Sequence, residues 1–142
     1  MQIKWTELAL DDLVAIQSYI SKDSVLYAKQ FIEQIFNTVN HLKDFPEIGR
    51  RVPEAGERKD VRELIFQGYR IIYLMRASNI FVITVVHGSR NLSNIGKQPW
   101  NNDQWTYINM IFINGINGVW PPFFAIHFRI LGKSAKIISI SG

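Results

Sequence analysis

Val61-Arg62-Glu63-Leu64-Ile65-Phe66-Gln67-Gly68-Tyr69-Arg70-Ile71-Ile72-Tyr73-Leu74-Met75, continuing through Ile80-Phe81-Val82-Ile83-Thr84-Val85-Val86-His87, is the stretch on which the fold turns. It holds three runs rich in β-branched and aromatic residues, 61–66, 69–75 and 80–87. Gln67-Gly68 and residues 76–79 are the only links between them. A parallel crossover needs a dozen or more residues, so links this short demand antiparallel hairpins. In the middle run Tyr69, Ile71, Tyr73 and Met75 share one face, and Arg70, Ile72, Leu74 and Arg76 share the other.

Upstream the hydrophobic period changes from two to that of a helix. Thr6 is placed to cap a helix over about 7–22, with Glu7, Asp11 and Asp12 near its positive end. Ala9, Leu13, Ile16 and Ile20 form its apolar stripe. Ser24 caps a second helix, in which Ala28, Ile32, Ile35, Val39 and Leu42 continue to about Lys43, before Phe45-Pro46 stops it. The short link at 21–24 makes the pair an antiparallel helical hairpin. Residues 3–5 read as a strand, and 49–56 as a basic loop punctuated by Gly and Pro. The expected class is α+β in the order β-α-α-β-β-β, with the helical hairpin packed on a small twisted antiparallel sheet. The opposite sheet face is then the expected place for function.

Charge divides the chain unevenly. Residues 1–98 contain 13 Lys/Arg and 11 Asp/Glu, whereas 99–142 contain only Asp103, Arg129, Lys133 and Lys136. This shift implies a domain over 1–98 and an atypical, low-charge tail over 99–142, β-rich or poorly ordered. Candidate strands in the tail are 107–113, 123–131 and 136–140, with turn signals at Asn114-Gly115 and Asn117-Gly118. Polar residues and Pro121-Pro122 break every window long enough to span a membrane. The Asn, Ile, Phe and Lys bias is also what AT-rich DNA read beyond a stop codon encodes. The absence of cysteine excludes disulfides, thiolate chemistry and Cys-ligated zinc, and fits a cytoplasmic protein. A net charge of +4 favours an acidic partner, either nucleic acid or protein.

Candidate chemistry gathers around Arg62, Tyr69-Arg70 and Tyr73, together with Val86-His87-Gly88-Ser89-Arg90. An arginine on a central strand is costly unless it faces solvent or a partner. Arg70 is therefore expected at an open end of the sheet face, or else paired with Glu63 across the strands. Pairing of the last two strands can bring His87 and Arg90 near it. His41 and His127 have no neighbours that suggest a site. The three histidines lack metal-ligand spacing, so no metal and no cofactor are expected.

Read together, these residues carry a resemblance. Trp5, Ala9, Asp12-Leu13, Ile16 and Tyr19-Ile20 open it, followed by Ala28, Phe31 and Ile35. Leu42, Phe45-Pro46, Gly49-Arg50 and Val52-Pro53-Glu54 come next. Arg62-Glu63-Leu64, Tyr69-Arg70-Ile71-Ile72-Tyr73 and His87-Gly88 with Arg90 complete it. In order and spacing, residues 1–97 resemble the RelE/ParE superfamily of type II toxin–antitoxin toxins, nearer the ParE or plasmid-stabilisation branch.

The resemblance implies a toxin that arrests growth, neutralised by an antitoxin encoded beside it and oligomeric with that antitoxin. ParE-like members inhibit DNA gyrase. RelE-like members cut mRNA in the ribosome without a metal. In the nuclease case Arg70, Arg90 and His87 would be catalytic, with Glu63 a weaker candidate base. Arg62, Tyr69 and Tyr73 are the expected target-binding residues. RelE-like nucleases often place an aromatic soon after the last strand, but 91–98 contains no Tyr, His or Trp. That absence and the long helical hairpin favour gyrase as target. Ribosome-dependent cleavage is the alternative, and a non-toxic basic nucleic-acid-binding module stands third. No membrane partner is expected.

Overall fold

A computed structural model describes residues 1–94 and 97–101, and the backbone of Tyr107–Asn109. The strands are β1 (Gln2–Thr6), β2 (Arg50–Arg51), β3 (Val61–Phe66), β4 (Tyr69–Arg76), β5 (Asn79–His87) and β6 (Tyr107–Asn109). The helices are α1 (Glu7–Ser21) and α2 (Val25–Asn40). Both expected caps form: Thr6 Oγ1 accepts from Ala9 N at 3.2 Å, and Ser24 Oγ accepts from Tyr27 N at 3.1 Å. The second helix tightens into a 3₁₀ turn over His41–Lys43 before Phe45-Pro46.

The sheet order is β2-β3-β4-β5-β1-β6. The β3–β4 and β4–β5 pairs are antiparallel, as their short links require. Gln67 and Gly68 both adopt positive φ, 44° and 84°, the geometry a two-residue hairpin turn needs to match strand twist. β1 joins β5 in parallel, so the sheet is mixed. No local turn dictates that direction, because the two helices intervene before the remaining strands. Arg50–Arg51, expected in a loop, forms a two-residue edge strand on β3.

β1 ends at Thr6 while β5 runs on, and the groups it leaves uncovered are met from α1 and its cap. Thr6 Oγ1 donates to Ile83 O at 2.7 Å, and Asp12 Oδ2 accepts from Val85 N at 2.9 Å and from Thr84 Oγ1. A register shift falls between Ile72 and Tyr73 where they meet β5. Burial pushes the Asp12 carboxyl above its ordinary range, against the lowering effect of its hydrogen bonds to Thr84 and Val85.

The alternation of β4 is realised. Ile71 and Tyr73 pack with Trp5, Leu10, Leu13, Phe31, Ile35 and Phe36 in the core beneath the helices, and Tyr69 and Met75 flank it. Ile72 and Leu74 lie in a second core with Val52, Val61, Ile83, Val86, Leu92 and Trp100. The face expected to be open for function is therefore covered, by the segment around Val52 and the chain after β5. Trp100 is only 2% exposed, so the packed unit extends past the boundary expected at residue 98. The backbone of β6 falls within the expected strand at 107–113. The other tail strands lie outside the described residues.

Candidate functional site

Arg70 stands at the end of the second core and is buried, 6% exposed, rather than open at the edge. Its guanidinium is shared between two carboxylates. Nη1 and Nη2 donate to Glu54 Oε2 and Oε1 at 2.7 and 2.9 Å, and Nε donates to Glu63 Oε2 at 2.6 Å. Glu63 is fully buried, and its other oxygen accepts from Arg50 Nε at 2.7 Å. Arg70 Nη1 also donates to the backbone oxygen of Arg90 at 3.3 Å. The cluster thus ties β2, the short turn at Pro53–Ala55, β3, β4 and the exit from β5 into one ionic knot. The paired Arg70 holds Glu54 below the ordinary carboxylate range, and Glu54 raises Arg70 further in return.

The pairing with Glu63 was foreseeable from adjacent strands, since Glu63 lies opposite Ile72, two residues along β4 from Arg70. Glu54 and Arg50 were missed as partners. Their signal lay in the spacing of Gly49-Arg50 and Val52-Pro53-Glu54 ahead of Arg62-Glu63, which places a carboxylate and a guanidinium on the chain that folds over the sheet.

His87 does not join Arg70. It pairs with Tyr69 across the β4–β5 ladder, while Arg70 pairs with Val86. Successive strand residues point to opposite faces, so Arg70 and His87 are separated by the sheet itself. On the helix side, Tyr69 contacts Phe31 at 5.6 Å and His87 at 5.5 Å between ring centroids, both edge-on. His87 is exposed, and its Nδ1 lies 2.7 Å from Ser89 Oγ. Arg90 is exposed beside the knot, to which it contributes its backbone oxygen. The expected nuclease constellation of Arg70, Arg90 and His87 is therefore not assembled on one face.

The expected target-binding residues are also largely engaged. Tyr73 is fully buried: its hydroxyl donates to Pro46 O at 2.7 Å and accepts from Gly49 N at 3.0 Å. Arg62 Nη1 donates to the backbone oxygens of Glu47 and Gly49 at 3.2 and 2.8 Å. Tyr69 is half-buried in the aromatic row. These three hold the loop and helices to the sheet. Exposed apolar groups instead gather at the turn between the helices, where Tyr19, Val25, Leu26 and Tyr27 are all at least half exposed. Among the described residues no group of His, Cys, Asp and Glu has a metal-holding arrangement, and no helix is long and apolar enough to cross a membrane.

A family model described as the ParE toxin of the type II toxin–antitoxin system parDE matches residues 3–92. Toxin RelE2 of Caulobacter vibrioides is 30% identical over 90 residues, covering 63% of this chain and 97% of that relative. A solved chain of a chromosomal ParDE system from P. aeruginosa aligns with a TM-score of 0.52 at 23% identity. That alignment covers 61% of this chain and 95% of the other, and the likeness is one of fold.

Proposed function

This chain belongs to the ParE toxin family of type II toxin–antitoxin systems, and on that premise we propose that it arrests growth in the cytoplasm by inhibiting DNA gyrase. Its neutralising partner is a cognate antitoxin. The observation that carries the choice of target is the state of Arg70. A guanidinium that stabilises a cleaving phosphate must be free to meet its charge, with a general acid or base within hydrogen-bond reach. Arg70 already holds two carboxylates, and His87 lies across the sheet from it. Such a face suits recognition of a protein surface better than phosphoryl chemistry.

The test is inducible expression, with gyrase-dependent plasmid supercoiling and mRNA integrity read in the same cells. Purified chain is added in parallel to a gyrase supercoiling reaction. The expected result is lost supercoiling with intact transcripts. Transcripts cut within ribosomes, with gyrase unaffected, would move the protein to the nuclease branch. Binding of bulk nucleic acid without growth arrest, weakening steeply with salt, would support the plain nucleic-acid-binding module.

A further inference from the structure

Trp100 is buried in the same cluster as Val52, Val61, Ile72, Leu74 and Val86. Those five lie within the residues that match the family, 3–92, and Trp100 does not. The short turn Pro99–Asn101 is therefore an addition by this chain that covers apolar surface built by the shared residues. Its fastenings are few. Arg58 Nη1 donates to Trp100 O at 3.2 Å and to Asn101 Oδ1 at 3.0 Å, and Gln98 Nε2 donates to Leu92 O at 2.8 Å. Arg58 is aimed by Asp60, which accepts from Nε at 3.1 Å and from Nη2 at 2.8 Å. The side chains of that pair are 32% and 39% exposed, so water reaches the clasp and each bond in it contributes little. Pro99–Asn101 belongs to none of the six strands, so it can lift without breaking a ladder.

The area beneath it runs up to the ionic knot, because Arg70 shares its face of β4 with Ile72 and Leu74. Arg50 and Arg90 carry exposed side chains beside that knot. Leu92 ties the two regions together, since its N–H bonds Glu54 and its carbonyl holds Gln98. An apolar centre with arginine at its rim is the composition of a surface that recognises protein. We infer that Pro99–Asn101 is a lid, with Trp100 as its plug, that masks the target-recognising face of this toxin until it lifts from the sheet. The inference rests on the reading that the target is a protein met by this face, and not on that protein being gyrase. A molecule with a closed lid binds no target, so apparent affinity falls by the fraction of molecules that are open. Removing the clasp raises that fraction and makes the toxin more potent, whereas loss of a merely structural contact makes it weaker.

The experiment expresses the full chain as wild type, Arg58→Ala and Trp100→Ser from a titratable promoter, with growth read against the amount of toxin in the cells. The purified proteins are compared in a gyrase supercoiling reaction. Amide exchange in α1 and α2, which pack in the other core, reports whether each variant is folded. Both variants should arrest growth at toxin levels at least about tenfold below that of the wild type, with inhibition of gyrase shifted in the same direction. Equal or weaker arrest by folded Arg58→Ala overturns the inference, and so does absence of arrest by all three proteins. Sharper growth arrest with gyrase unaffected supports the lid and removes gyrase as the target. Arg58→Ala takes no side chain from the cluster around Trp100, so it decides the matter even where Trp100→Ser does not fold.

Discussion

Arg70 grips Glu54 through both of its terminal nitrogens, at 2.7 and 2.9 Å, and so fastens β4 to the turn that covers the second core. Its third contact, with fully buried Glu63, makes the residue structural before it is anything else. Arg70→Ala leaves Glu63 with only Arg50 and opens Glu54, which should cost roughly 3–5 kcal/mol, the range for breaking one side of a buried pair. Urea unfolding of the two proteins measures it. Arg90→Ala removes an exposed side chain and leaves the backbone oxygen in place, so its stability should stay within about 0.5 kcal/mol of wild type. Lost toxicity in the first variant therefore reports a damaged fold, and in the second a damaged target contact.

The Glu54 carboxyl is held low by Arg70, which sets a pH dependence of definite sign. Between the unfolded value near 4.3 and the lower native value, the unfolded chain binds more protons, so stability rises with pH there. The contribution is complete above the unfolded value and disappears as pH falls through the native one. Acid titration of unfolding free energy should show that slope, and Glu54→Gln should flatten it. Asp12 has the opposite sense, because burial raises its native value: its share of stability weakens as pH climbs from the unfolded toward the native value.

Gly49 is required by closeness rather than by backbone angle. A Cβ there would lie 2.5 Å from Tyr73 Oη and 2.8 Å from the Glu63 carbonyl oxygen. Gly49→Ala must push the buried phenol or move the backbone, and overpacking of this kind costs roughly 1–3 kcal/mol. Gly56 makes the comparison: nothing lies within 4 Å of its Cβ position, but its φ is +61°. Gly56→Ala should lose about 1–2 kcal/mol through backbone strain alone. Combining Gly49→Ala with Tyr73→Phe separates the two causes. Removing the hydroxyl takes away one of the close contacts in the first, leaving those with Tyr73 Cε1 and the Glu63 carbonyl oxygen at 2.8 Å, so it should relieve part of the cost there and none in the second.

The parts of this fold that were readable in the chain are those set by nearby residues. The helix stripes, the caps at Thr6 and Ser24, and the hairpins flanking Tyr69 depend on spacings of a few positions. The two faces of β4 followed from alternation once that strand was recognised. Three features depended on distant partners and were not readable in the same way. The parallel seating of β1 on β5 is decided by packing across most of the domain. Arg70 was expected to need solvent or a partner. That rule is sound, but the sequence could not show that Glu54, in a separate loop, would bring it two more hydrogen bonds. The covering of the second face includes Trp100, beyond a change in charge density that marks composition rather than the limit of packing.

Trp100 allows that last point to be tested by where the chain is cut. It is buried in the same cluster as Val52, Val61, Ile72 and Leu74, and its carbonyl accepts from Arg58 Nη1 at 3.2 Å. A chain ending at Gln98 and one ending at Asn101 both lose β6, so any effect of uncovering β1 is common to the two. They differ only in Pro99–Asn101, and within it chiefly in Trp100. Loss of a buried tryptophan costs about 3–5 kcal/mol, so the shorter chain should unfold at clearly lower urea, as should the full chain carrying Trp100→Ala. The chain ending at Asn101 should keep the protection of Ile72 and Leu74 against amide exchange. Equal stability of the two truncated chains would mean that Trp100 only lies on the second core and does not close it.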